Sequence, residues 1–468
     1  MSKHKGQLFL GFAKLSFFIS VAVVLVLSTV LLSKWMRDEA SKEELAKVTL
    51  ALNDVDLKTV HAGTKDIKYP GNYLNVVENG ELTEYLDVEL KGRGNSTWGW
   101  EKAPYQFKLS EKEEFLGMGA AKKWIFLANY FDMSNLRTSA AFKLESLLDQ
   151  DYALSGHFAE LTIDDDWRGL YFVTEKIDVG KTRINLKDKD GVVVELENAH
   201  AETEECYFTN DKTCFVIKDS VDEDNEDEAM KKFIAAFNKL EQAVKERDYD
   251  EIKGLIDVES LAKYYLLSEF SENPDAYDSS WYFYKDGEDD KIHVGPGWDF
   301  DNAFGNHIWT YGFSEQYYSP EIDALEIKTV GGEVYDEELD KVIEVPSDIE
   351  ASKMIYYLLE IPEFAELVKS TYLTNLYGKK SEMMLHLMVE AGRIREVAIE
   401  DNAKYADGRD AFWQELGAEI YNGFDNEDFD VAPALVVDSE VDYLLDWVSR
   451  RFDYLDKKYT SSRDIMVM

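Results

Sequence analysis

Gly295-Pro296-Gly297-Trp298-Asp299-Phe300-Asp301-Asn302-Ala303-Phe304-Gly305 places two acidic side chains, two residues apart, among bulky aromatics. The glycines and proline on its amino side bend the chain sharply, and a further glycine closes the run. In a short extended piece, Asp-Phe-Asp sends both carboxylates to one face and Phe300 to the other. Phe300 can then be buried while Asp299 and Asp301 face a cleft. Two hard oxygen ligands at that spacing suit Mg²⁺ or Mn²⁺, which keep several waters and share phosphate oxygens with one or two carboxylates. An isolated Asp-x-Asp also serves turns, where the side chains accept from nearby backbone amides. The surrounding chain has to decide between the two.

The 468 residues have room for a large core and two or three domains, or for one elaborated domain. A hydrophobic content of 45% and an aromatic content of 13% indicate a folded protein. Lys+Arg 51 against Asp+Glu 93 leaves a net charge of −42, which argues against nucleic acid as a partner. It favours a cationic partner, or adaptation to salt.

From Leu15 to Ser33 the chain is uncharged and apolar. As a helix at ~1.5 Å per residue it would span about 28 Å, close to the ~30 Å hydrocarbon core of a bilayer. No small-x-small cleavage signal closes it convincingly, so an uncleaved anchor is preferred to a removed signal peptide. The bulk of the chain would then lie outside the cytoplasm. Cys206 and Cys214 are the only cysteines, and their spacing in an exported segment fits a local disulfide or two free thiols.

A short basic segment (1–14) thus precedes the transmembrane anchor (15–33), and charged, helix-prone residues 34–60 read as a membrane-proximal stalk. Beyond it, strands are expected around Val88 to Leu90, Tyr105 to Leu109, Trp124 to Leu127, Ala159 to Ile163, Leu170 to Glu175, Val192 to Leu196 and Cys214 to Lys218. One helix, with Asp132 or Ser134 as cap, interrupts them through Leu136, Ala140, Leu144 and Leu148. Met230, Phe233, Phe237, Leu240 and Val244 form an apolar helical stripe, and a second helix from about Val258 to Phe270 has Asp257 as its cap. Trp281 to Tyr284 and Ile292 to Val294 form a hairpin just before the opening motif. Long helical patterns fill the remainder. The fold class is therefore α+β: a mainly antiparallel sheet with inserted helices (core 61–320), and a helical C-terminal part (321–468) packed on it.

Four stretches carry compatible chemistry. Asp275, held in a loop by Pro274 after a helix, can accept a proton from a hydroxyl nucleophile. Asp299 with Asp301 can hold a metal that bridges phosphate oxygens. Lys108 on a strand and Arg93 in a glycine-flanked loop can neutralise phosphate charge. Glu175 can pair with and orient a lysine, as a Lys–Glu ion pair does in phosphoryl-transfer enzymes. Each also has an ordinary use: Lys108 and Glu175 as interstrand pairs, Arg93 as a loop charge, Asp275 as a turn former.

In order and spacing these stretches resemble the spore coat protein H (CotH) kinase family of atypical secreted or cell-surface kinases. The likeness runs from about Val88 to Gly305. It rests on Arg93-Gly94-Asn95-Ser96-Thr97-Trp98, Lys102-Ala103-Pro104-Tyr105-Gln106-Phe107-Lys108-Leu109, Trp124 to Asn129, and Asp132-x-Ser134-x-Leu136-Arg137. It continues through Gly169-Leu170-Tyr171 to Glu175, Asn273-Pro274-Asp275, Tyr282-Phe283-Tyr284-Lys285 and Trp298-Asp299-Phe300-Asp301. The resemblance implies a minimal kinase-like fold that transfers the γ-phosphoryl of ATP, with Mg²⁺ or Mn²⁺, to Ser/Thr hydroxyls of an envelope or surface protein, which the acidic charge would favour being basic. It implies Asp275 as catalytic aspartate and Asp299 as metal-binding aspartate, assisted by Asp301. Arg93, Lys108, Arg137 and Glu175 match other motif positions and, with Trp298, are assigned to nucleotide and phosphates. Where family members often place an asparagine after the catalytic aspartate, this chain has Asp278, Ser279 and Ser280. Two other readings stay open: a non-catalytic surface or assembly protein, and transfer of AMP or another group from the same site.

Overall fold

The computed structural model describes residues 44–94, 96–306, 319–324, 333–336, 341–344, 350–415, 420–421, 424–425 and 433–461. The expected membrane helix at 15–33 and Asn95 lie outside that set, and among the described residues no helix is long and apolar enough to cross a membrane.

Alternating apolar side chains build the first half. Strands β1 (Ala46–Ala51), β2 (Tyr69–Glu78), β3 (Glu81–Gly92), β4 (Tyr105–Phe115) and β5 (Met118–Leu127) pair in succession, and β6 (Gly156–Ile163) and β7 (Asp166–Glu175) complete a closed seven-stranded barrel. All neighbours are antiparallel except β1 and β6, whose parallel pairing closes the ring. Tyr105, Phe107 and Leu109 of β4 fill the barrel with Trp124 and Phe126 of β5. Gln106 and Lys108 alternate with them on the outer side.

Part of this barrel is covered on both faces. Ile125, Phe158, Leu170 and Phe172 pack outward into a second core, while Phe126, Ala159, Tyr171 and Val173 point inward. A sheet buried on both faces reads as a continuous apolar run, here Leu170-Tyr171-Phe172-Val173. The second core is built on a five-stranded antiparallel sheet in the order β12 (His293–Val294), β11 (Trp281–Lys285), β8 (Val192–Leu196), β10 (Cys214–Ser220), β9 (Tyr207–Phe208). Cys206 and Cys214 form a disulfide at its edge.

After α1 (Leu57–Ala62), helix α2 (Arg137–Leu147) starts where Asp132 accepts from the Arg137 amide at 2.8 Å and Ser134 Oγ from the Leu136 amide at 3.2 Å. Leu136 itself holds the cap position, so Asp132 and Ser134 serve the helix entrance from the preceding turn rather than as the cap residue. α3 (Glu226–Glu246) lays Phe233 and Phe237 against Phe215 of β10, at ring distances of 5.1 and 4.7 Å. α4 (Tyr249–Leu255) leads to α5 (Val258–Ser271), whose cap Asp257 accepts from the Glu259 and Ser260 amides. Four more helices follow: α6 (Glu350–Leu359), α7 (Pro362–Asn375), α8 (Lys380–Glu415) and α9 (Pro433–Thr460).

Two expectations change. Residues 46–51, assigned to a stalk, are barrel strand β1, with Ala46, Val48 and Leu50 buried. Charged flanks hid that three-residue alternation. In place of one sheet the core before residue 306 has two, because alternation identifies strands but not which of them share hydrogen bonds. Two-stranded pairings follow at Glu333–Asp336 with Lys341–Glu344 and at Ile420–Tyr421 with Phe424–Asp425. The C-terminal helices are also wired into the core by buried ions. Lys102 meets Asp401 of α8 at 2.8 Å, and Arg451 of α9 meets Glu272, at the end of α5, also at 2.8 Å.

Candidate active site

The end of β3, the loop after β5, strands β8 and β11 and the 298–301 segment enclose a cleft of about 360 Å³ between barrel and second sheet. Its charge is divided. Lys65, Lys91 and Arg93, with Asp66, line it from the barrel side, and Glu195, Glu197, Glu204, Asp299 and Asp301, with Lys218, from the other, so the balance is basic on one side and acidic on the other.

The 295–301 segment reaches the cleft without forming a strand. Asp299 has a φ of 67°, in the left-handed region, rather than the extended backbone expected. That conformation costs an L-residue about 1 kcal/mol, and aspartate is among the few side chains that tolerate it. Gly297 is required by close approach: a Cβ there would lie 2.5 Å from Leu267 Cδ2 and 2.9 Å from the Phe300 ring. Its amide donates to the buried Glu145 carboxylate at 2.8 Å, and Phe300 is buried. The outcome matches the expected division, with both aspartates lining the cleft.

Desolvation by the surrounding cleft walls raises Asp299 above the ordinary carboxylate range, helped by the charges of Asp301, Asp275 and Glu195, although the side chain keeps a face open to solvent. Desolvation likewise pushes Asp301 up to about 6, helped by Asp132 and Asp275. Among the described residues no lysine, arginine or histidine comes within ion-pair distance of either carboxylate. Like charges crowded into one cleft without a cationic partner repel each other, and a divalent cation is the natural neutraliser for hard oxygen donors. The donor set therefore fits Mg²⁺ or Mn²⁺.

Asp275 sits half-buried in the turn after α5, outside the residues lining the cleft. Asn273 ties it to the metal-site candidates: its Oδ1 accepts from the Asp275 amide at 3.1 Å, and its Nδ2 donates to the Asp299 carbonyl at 3.2 Å. Where the asparagine was sought, Ser280 Oγ lies 3.5 Å from Asp299 Oδ2. Arg93 and Trp298 also meet here, the guanidinium 4.9 Å above the indole ring.

The other predicted residues lie elsewhere. Glu175 is buried, but its ion-pair partner is Arg183 rather than a lysine, and it also accepts from the Ser155 amide and hydroxyl at 2.9 and 3.0 Å. Arg183 in turn stacks 4.8 Å over Trp124. Lys108 faces Glu89 and Lys123 on the barrel exterior and does not line the cleft. Arg137 is fully buried between Asp132 at 2.5 Å and Glu440 at 3.5 Å, which makes it a clamp between the α2 entrance and α9.

A family model described as CotH kinase protein matches residues 90–455. The chain belongs to the CotH kinase family. The match crosses residue 320 and takes in most of the C-terminal helices, in keeping with their buried ties to the core. Kinase-type phosphotransfer is the activity class this membership carries. No curated protein matches the chain.

Two cleft residues of this CotH kinase escaped the motif reading. Glu195 of β8 forms an ion pair with Lys218 of β10, and both line the cleft. The signal was present as a charged residue within an apolar strand, Val192-Val193-Val194-Glu195-Leu196. Lys176, next to Glu175, does not line the cleft. It is pushed down to about 8, first by burial and then by the charges of Lys123 and Arg93, against the opposing pull of Asp178 and Asp219.

The paired acids give a pH prediction. Both have folded-state values raised above the unfolded carboxylate value of ~4. The metal-free protein therefore loses stability as pH rises from there through the folded values, as each of the crowded acids becomes charged. A cation binds the charged form and competes with protons. Mn²⁺ should thus raise the melting temperature more at about pH 7.5 than at about pH 5. Thermal melts with and without Mn²⁺ check this, and an equal or larger shift at the lower pH would contradict it.

Proposed function

We propose that this protein transfers the γ-phosphoryl of ATP to Ser/Thr hydroxyls of an envelope or surface protein, on a minimal atypical kinase-like fold. The observation that carries this reading is the pair of cleft-lining carboxylates Asp299 and Asp301, with no cationic side chain among the described residues at ion-pair distance, facing the basic barrel rim across one cleft. When bound, Mg²⁺ or Mn²⁺ would supply charge neutralisation for the nucleotide's phosphate oxygens, held by Asp299 with Asp301 assisting. Arg93 and Lys91 stand on the opposite wall, where they bind phosphate oxygens and offset their charge. Trp298, already stacked under Arg93, offers an aromatic face to the nucleotide. The Lys218–Glu195 pair takes the role first sought with Glu175, a lysine oriented by a glutamate inside the cleft. Asp275 accepts the hydroxyl proton of the acceptor, its loop held in register with Asp299 by Asn273.

The apolar run at 15–33 supports an anchored protein whose catalytic part lies outside the cytoplasm, and the net charge of −42 supports a basic acceptor reached by electrostatic steering. Incubation with γ-labelled ATP, Mn²⁺ and a lysine-rich acceptor should label the acceptor. Asp275→Asn should reduce labelling by about 100-fold or more, the contribution of a positioned general base. Undiminished labelling by that variant would remove Asp275 from the mechanism. No labelling under any metal would favour a non-catalytic surface role.

A further inference from the structure

Behind the second sheet lies a cavity of about 250 Å³ that shares no lining residue with the cleft. Its apolar walls are Leu196 of β8, Trp281 of β11, Phe237 and Val244 of α3, and Met354 and Tyr357 of α6. Leu196 and Trp281 are cross-strand neighbours. Because side chains alternate along a strand, Glu195 and Tyr282 of the same two strands face the cleft instead. The two sites are opposite faces of one sheet.

Two polar groups in this apolar wall lack partners. Trp281 is fully buried, and its indole Nε1–H makes no hydrogen bond. Glu241 is 9% exposed; its Oε1 accepts from Thr209 Oγ1 at 2.9 Å and Thr213 Oγ1 at 3.0 Å, while its Oε2 is buried with no donor. Lys245, engaged in an ion pair with Asp211, and the exposed Lys353 also line the cavity. Folded proteins seldom leave such groups unsatisfied. A cavity with an apolar body, one orphan donor and one orphan carboxylate oxygen has the composition of a small-molecule site.

We propose that this cavity binds a small aromatic amine carrying a hydrogen-bond acceptor on its ring. The ring lies among Phe237, Val244, Met354 and Tyr357, the ammonium donates to Glu241 Oε2, and the ring acceptor takes the Trp281 Nε1–H. Binding behind β8 and β11 places the ligand one strand thickness from Glu195 and Tyr282. The assignment does not rest on phosphoryl transfer, so either reading can fail alone.

Calorimetric titration of the full chain with tyramine tests it, with 3-(4-hydroxyphenyl)propionate as the analogue of opposite charge. Tyramine should bind saturably at one site, and the acid at least about tenfold more weakly, as expected for a charge-assisted hydrogen bond. Glu241→Gln should weaken tyramine by a similar factor. Met354→Trp, at a half-buried helix position, should abolish binding by filling the cavity. Melting curves establish that both variants are folded. Failure of tyramine to bind the wild-type chain, equal binding of amine and acid, or tyramine binding untouched by both substitutions would overturn the assignment.

Discussion

Asp299→Asn is expected to lower phosphoryl transfer about a thousandfold while leaving the metal-free protein as stable as the wild type, or more so. The first effect follows from removing a hard anionic ligand where metal binding supplies several kcal/mol of charge stabilisation, at ~1.4 kcal/mol per factor of ten. The second follows from the electrostatics of the cleft. Asp299 is held above the ordinary carboxylate range by desolvation and by the charges of Asp301, Asp275 and Glu195. At neutral pH its replacement by a neutral isostere relieves repulsion among the acids crowded around the cleft. A structural aspartate would behave in the opposite way, losing stability and activity together. Kinetics beside thermal melts of the metal-free protein separate the two cases, and a large drop in melting temperature would place Asp299 in the scaffold.

Lys102→Ala is expected to cost about 3–5 kcal/mol of stability, the range for breaking a buried ion pair by removing one partner. Lys102 and Asp401 have side chains 0% and 3% exposed, and Asp401 also accepts from the Leu170 amide at 2.9 Å. The neighbouring Gly169 leaves that carboxylate its space, since a Cβ there would come within 1.9 Å of Asp401 Oδ1. The pair thus fastens the loop before β4 and the start of the Leu170 run to helix α8. The double substitution Lys102→Met/Asp401→Leu should recover much of the loss, because it leaves no charge unpaired. Chemical denaturation of the three variants reads both effects. A cost under about 1 kcal/mol for Lys102→Ala would show the pair to be solvated.

These two residues mark what could and could not be read from the chain. Local chemistry was legible. Asp257, Asp132 and Ser134 announce helix starts, the Met230 to Val244 stripe announces a buried helix face, and Asp299-Phe300-Asp301 announces two acids on one side of a buried ring. Partnerships between distant segments were not. Lys102 sits in a family motif, yet its partner lies 299 residues away. Glu175 was expected to orient a lysine, yet its carboxylate meets Arg183, on the loop that follows its own strand. Barrel closure escaped for a related reason. The strand Ala46–Ala51 has only three inward residues, and its pairing with β6 is parallel and 113 residues distant at Ala46 and Ala159. Ion-pair partners and strand neighbours are set by how the layers close, which residue spacing along one segment does not encode. Glu195 and Lys218 were legible in principle, as charges within apolar strands whose burial only a cleft or an ion pair can explain.

The central claim is that the cleft carries a nucleotide's terminal phosphoryl to a protein hydroxyl. Intact-mass analysis of a lysine-rich acceptor, after incubation with ATP, Mn²⁺ and the wild-type chain, tests it most directly. The expected result is an increment of one or more phosphoryl groups that is absent with Asp299→Asn. An increment equal to AMP, or an unmodified acceptor with every metal tried, would contradict it.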